Sequence, residues 1–161
     1  MRSIKTHLIL STISMIATLG STTAFADYRL TAFGDSLGYS ALIAKDVSTA
    51  TSLFEDHNVE HMDFLEINNL CVSQILDSEF DAAIESCAAA LDLSETDYSV
   101  TYKSRREAKA SILSNLAVAK ALNGDLTGAQ SNLEMALSLN SSDRNAIANI
   151  DLLAVNLVAG N

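Results

Sequence analysis

The chain says the same thing twice. Asn69-Leu70-Cys71 aligns with Asn115-Leu116-Ala117, and the register holds over the following residues: Phe80 meets Leu126, Ala83 meets Ala129, Ala90-Leu91 meets Ala136-Leu137, and Leu93 meets Leu139. Self-similarity at a fixed offset is the mark of stacked supersecondary units, each covering the apolar face of the next. Both copies contain two helical stretches around a short polar break. In the second copy the break is Asn123-Gly124-Asp125, where Gly accepts the left-handed conformation that ends a helix and Asp caps the next. In the first it is Asp77-Ser78-Glu79, equally polar but without the Gly. Cys71, Ala83 and Ala90, like Ala117, Ala129 and Ala136, are small residues at positions where two helices can approach closely. With no Pro and six Gly, the composition points to helices rather than to a sandwich of short strands.

These residues resemble the tetratricopeptide repeat (TPR) family. The stretch 115–143, NLAVAKALNGDLTGAQSNLEMALSLNSSD, is similar to a nearly complete repeat, and 69–94 to a second. The family's period is about 34 residues, so the longer offset implies an insertion between the copies, expected around residues 95–109. The usual Pro after the second helix is replaced by Glu95 and Ser141, and the aromatic of the first helix by Gln74 and Lys120. Asp46-Val47, Ala50 and Phe54 stand in register with Glu79-Phe80, Ala83 and Cys87, as the second helix of an earlier, degenerate repeat would. A last amphipathic stretch, with Ile147, Ile150, Ala154 and Leu157 on one face, reads as the cap that ends such arrays. The expected organisation is therefore an all-α domain over 27–161: a half repeat at 37–57, repeats at 64–97 and 110–143, and a capping helix at 144–158.

The first 26 residues read as an address rather than as part of the fold. Arg2 and Lys5 precede a mostly apolar stretch at 8–19, and Ala24-Phe25-Ala26 has the small-x-small pattern of a signal-peptidase site. Ser11, Thr12, Ser14 and Thr18 interrupt a stretch already too short to span a bilayer. Cleavage after Ala26 is expected to release a periplasmic or secreted protein beginning at Asp27, with no membrane insertion afterwards.

Charge narrows the partners. The chain has 10 Lys+Arg against 20 Asp+Glu, and with Arg2 and Lys5 in the leader the remainder holds 8 basic and 20 acidic residues. A face that acidic disfavours nucleic acid and anionic membrane surfaces. From Asp46 to Tyr102 there are 13 acids and no Lys or Arg, after which Lys103, Arg105, Arg106 and Lys109 crowd together. The acidic half suits a basic partner. The basic cluster suits a carboxylate, a phosphate or the acidic half of another copy, and equally a solvated helix face.

Cys71 and Cys87 fall in the two helices of the first full repeat, about equally far from its turn. In an exported chain an even Cys count favours a disulfide, which would stabilise by about 3 kcal/mol in the chain-entropy model. The alternative is a pair of buried thiols acting as small apolar residues.

Three fragments carry chemistry-like patterns. Phe33-Gly34-Asp35-Ser36-Leu37 resembles the first block of the GDSL (SGNH) esterases, in which the Ser is the nucleophile. That family also needs a Gly-x-Asn-Asp block and a C-terminal Asp-x-x-His to activate the Ser, and no His follows His61. His57-Asn58-Val59-Glu60-His61 matches the H-x-x-E-H string of inverzincins, which on a helix would set His57 and His61 one turn apart around zinc with Glu60 as base. A third ligand has no recognisable motif, and a polar linker is the competing reading. No catalytic residue, metal or cofactor is assigned.

Asn69, Asn115 and Asn149 recur at the repeat position that in TPR domains faces the concave groove and bonds a peptide backbone or terminal carboxylate. The resemblance makes Asn69, Val72, Asn115, Val118 and Asn149 the candidate groove. It stops short of a carboxylate clamp, because the accompanying basic positions hold Leu65, Asn68, Ser111 and Ser114. The expected work is non-catalytic: holding a protein or peptide segment, or another copy of the chain, or serving as a structural subunit of an envelope assembly.

Overall fold

A computed structural model describes residues 28–97 and 101–159, with side chains through residue 157. The expected leader and its cleavage site lie outside the described residues. Among those described there are seven α-helices and no strand: α1 Tyr39–Ile43, α2 Val47–Glu55, α3 Phe64–Leu76, α4 Phe80–Thr96, α5 Tyr102–Leu122, α6 Leu126–Leu139 and α7 Arg144–Ala159. The class is all-α, as the repeat pattern and composition imply. A short 3-10 turn, Val59–His61, leads into α3.

The helix starts follow from side chains that satisfy first-turn N–H groups. Asp63 accepts from Leu65 and Glu66 N–H while its own N–H donates to the Glu66 carboxylate, a reciprocal capping box. Asp46, Thr101 and Asp125 cap α2, α5 and α6 in the simpler one-way manner.

The two breaks are built alike despite their different residues. After α5, Asp125 N–H bonds Lys120 C=O and Gly124 N–H bonds Ala121 C=O, with Gly124 left-handed at φ 91°. After α3, Glu79 N–H bonds Gln74 C=O and Ser78 N–H bonds Ile75 C=O, with Ser78 left-handed at φ 68°. Ser therefore adopts the conformation that Gly takes in the other copy, at the cost of a Cβ crowded against its own carbonyl.

Each tight break doubles the chain back, so α3 lies along α4 and α5 along α6. Contacts also join α4 to α5, α6 to α7, and α3, α5 and α7 in turn. The small residues sit at these crossings: Cys71, Ala83, Cys87, Ala90, Ala129 and Ala136 have no accessible surface, and Ala117 almost none. Larger neighbours close over them, with Leu113, Leu133 and Leu153 packing α5, α6 and α7 together. Cys71 and Cys87 form a disulfide across α3 and α4, their Cα atoms 5.3 Å apart.

Two features of the helix layout go beyond the repeat pattern. Within the insertion expected at 95–109, α4 runs on to Thr96 and α5 begins at Tyr102. Much of the insertion is thus an N-terminal extension of α5. Thr101 provides the cap, no Pro or Gly interrupts the stretch, Lys103 pairs with Glu107 at 3.6 Å one turn on, and Lys109 pairs with Glu95 of α4. Within 37–57, α2 carries Ala50 and Phe54 and is preceded by the short α1, entered through Gly38 in the left-handed region at φ 76°.

Candidate functional site

Before α1 the chain runs extended through residues 28–33, and every second residue is gripped by an asparagine. Arg29 N–H donates to Asn149 Oδ1 at 2.7 Å and Arg29 C=O accepts from Asn149 Nδ2 at 2.8 Å. Thr31 makes the same pair with Asn115, at 2.9 and 2.8 Å. Phe33 makes it with Asn69, at 2.7 and 2.9 Å. In an extended chain the N–H and C=O of one residue point the same way, and those of the next residue point oppositely. One carboxamide, with its acceptor beside its donor, therefore substitutes for one residue of a neighbouring strand.

The helices position these amides by register. Asn69, Asn115 and Asn149 lie on α3, α5 and α7, with α5 neighbouring both of the others, so each adds one rung. Further polar groups brace the row. Asn68 Nδ2 donates to Thr31 C=O at 2.9 Å, and its Oδ1 accepts from Asn115 Nδ2 at 2.8 Å. Asn69 Nδ2 also donates to Leu37 C=O, and Asn149 Nδ2 to Ser114 Oγ. Asn145 Nδ2 donates to Thr31 Oγ1 at 2.8 Å. Asn68, Asn69, Asn115 and Asn149 have no accessible surface. Burying four amides is costly unless each finds partners, and the extended segment supplies most of them.

Side chains complete the seat. Tyr28 and Leu30 pack on the cluster of Cys71, Ile75 and Val118, while Leu30 and Ala32 pack on Ala41, Leu42, Ala50 and Val72. Phe33 joins Phe54, Phe64 and Ile112. Tyr28 Oη accepts from Asn156 Nδ2 at 3.2 Å. Beside the segment a cavity of about 360 Å³ opens between Leu30, Ala32, Leu42, Ile43, Val72 and Leu76.

The structure thus brings Asn69, Asn115 and Asn149 into one row and buries Val72 and Val118 behind it, with the chain's own segment in front. Sequence reading missed the segment itself and the bracing roles of Asn68 and Asn145. Its signal was the alternation Tyr28-Arg29-Leu30-Thr31-Ala32, apolar with polar at a period of two that fits extended chain, which the apolar Phe33 ends.

The other fragments fall elsewhere. Ser36 lies in the turn before α1, its hydroxyl 3.4 Å from Gly34 C=O. The H-x-x-E-H string is not helical throughout, which corrects the one-turn spacing considered for His57 and His61. Helix α2 ends at Glu55, His57 Nδ1 is 2.7 Å from Leu53 C=O, and His61 closes the separate 3-10 turn. Asn58 caps that turn, its Oδ1 accepting from Glu60 N–H at 3.0 Å. Among the described residues no three His, Cys, Asp or Glu side chains gather as metal ligands, and no helix is long and apolar enough to cross a membrane. In the basic cluster, Arg106 donates to Ser138 C=O and Arg105 to Asp97 C=O, while Lys109 meets Glu95, so these side chains tie α5 to its neighbours.

Compared with protein-family models, with curated proteins and with solved structures, the chain matches none of them.

Proposed function

We propose that this chain is an exported, non-catalytic interaction module built of TPR-like helical hairpins, whose groove holds an extended protein segment by its main chain. The observation that carries the reading is the asparagine row: three carboxamides at equivalent repeat positions, each engaging both main-chain groups of one residue of an extended segment. Main-chain recognition with apolar seats for alternate side chains is how extended peptides are commonly held. The Cys71–Cys87 disulfide supports an oxidising compartment, and with it export. Residues 28–33 occupy the row as a tethered ligand. An outside segment competes with an effective concentration on the millimolar scale, so its apparent affinity is reduced accordingly.

The test weakens the tethered occupant in the full chain. Thr31→Pro removes the N–H that donates to Asn115 and leaves every helix untouched. A fluorescent peptide with the sequence of residues 27–34 is expected to bind this variant at least tenfold more tightly than the natural chain, read by anisotropy. A Thr31→Pro protein with natural helical circular dichroism that binds no peptide would overturn the proposal. Arg29→Pro, at the exposed end of the segment, provides a milder second variant.

A further inference from the structure

We propose that the partner fitting this groove is residues 28–33 of a second copy of the chain, exchanged reciprocally so that each copy's segment lies across the other's asparagine row. The inference rests on the groove reading extended main chain. Three features point to it. First, among the described residues the segment joins the helices only through the turn at residues 34–38, and its Asn partners lie 36 to 120 residues away, so residues 28–33 can leave without unfolding a described helix. Secondly, the rungs are main-chain bonds and the seats for Tyr28, Leu30 and Ala32 are identical in every copy. Nothing in the row distinguishes a copy's own segment from its partner's. In a two-fold exchange every rung lost in one copy is remade in the other, so the balance falls on the turn and on association.

The third feature is the turn itself. Asp35 holds a left-handed backbone at φ 57°, a conformation that a non-Gly residue leaves readily when a turn straightens. Short hinges carrying such backbone favour exchange between copies. Ile43, 63% exposed, and Leu76, 39% exposed, line the cavity beside the segment and offer apolar surface where two copies meet.

The experiment mixes two full-length single variants, Thr31→Cys and Asn145→Cys, whose natural side chains touch at 2.8 Å. A short bis-maleimide is added and tryptic peptides are mapped by mass spectrometry. A link between positions 31 and 145 in this mixture arises only between copies. The expected result is that link, its yield rising about tenfold for a tenfold increase in protein while it is scarce, and falling when excess peptide of residues 27–34 is present. The double variant Thr31→Cys/Asn145→Cys, diluted, should give the same link within one copy. Exchange is overturned if the mixture yields no 31–145 link at millimolar protein, or if the double variant yields none at any concentration. The two readings fail separately. Peptide binding by Thr31→Pro without a link between copies removes exchange and leaves the groove standing, whereas a link between copies without peptide binding removes the groove's generality.

Discussion

Asn115 bonds both main-chain groups of Thr31, 84 residues earlier in the chain, and with the same Nδ2 also reaches Asn68. Asn115→Ala therefore strands the buried Asn68 Oδ1 and the Thr31 N–H, while Thr31 C=O keeps the Asn68 Nδ2 donor. Leaving such groups unsatisfied costs about 2–3 kcal/mol, which lowers the melting temperature by roughly 10 °C at this size. Asn149→Ala is expected to cost about half as much, because its rung holds Arg29 at the exposed end. Hydrogen exchange should show the Thr31 amide losing protection in Asn115→Ala while the α4 and α6 amides keep theirs. Equal loss across all helices would contradict a locally held segment.

Gly38 and Ser78 make opposite predictions from the same backbone region. At Gly38, φ is 76° and a Cβ would come within 2.6 Å of the Phe54 ring. Gly38→Ala combines left-handed strain with a ring displaced from the core, and should destabilise by about 2–4 kcal/mol in urea unfolding. Ser78, at φ 68° and exposed, carries left-handed strain that Gly would not. Ser78→Gly should stabilise by about 0.5–1 kcal/mol, since relief of that strain exceeds the added freedom of the unfolded chain.

Reducing the Cys71–Cys87 bond should lower stability by about 3 kcal/mol and shift the melting temperature down by about 10 °C, the loop closed being 16 residues in sequence separation. Both sulfur positions have no accessible surface, so reduction should be slow without denaturant. A melting temperature unmoved by full reduction would mean that helix packing alone fixes α3 against α4.

Asp46 gives the pH dependence of α2. Its carboxylate accepts first of all from the Thr49 hydroxyl, then from Thr49 N–H and the Ser48 hydroxyl, and these hold it below its ordinary value of 3.8. A carboxyl lowered on folding contributes stability that is complete above the unfolded value and disappears as pH falls through the folded one. The Thr49 amide should thus exchange at the same opening free energy at pH 7 and pH 5, and open more readily as acid is added below about pH 4. Asp46→Asn, which can still accept from Thr49, should flatten that acid-side change.

Much of the fold was legible because a repeat states its rule more than once. Cys71 with Ala117, Ala83 with Ala129 and Ala90 with Ala136 mark matched close approaches, and all are buried. The ends of α3 and α5 and the starts of α4 and α6 fall in the same register. The start of α5 was not legible, because a repeat pattern says where apolar residues recur, not how far a helix continues. Thr101 and the helix-forming run after it extend α5 by propensity and capping, which carry no periodic signal. The position of the asparagines was likewise readable, but not their occupant, since residues 28–33 have no local partner and bond only to helices far along the chain.

The sequence by itself determined that this chain forms helices, where small residues let them pack, and which two cysteines lie in adjacent helices, because periodicity, caps and residue volume act within a few turns. Only the tertiary structure decided that the amide row is filled from within. An extended segment gains its bonds from side chains on three helices, and the free energy of that contact exists only once the helices are side by side.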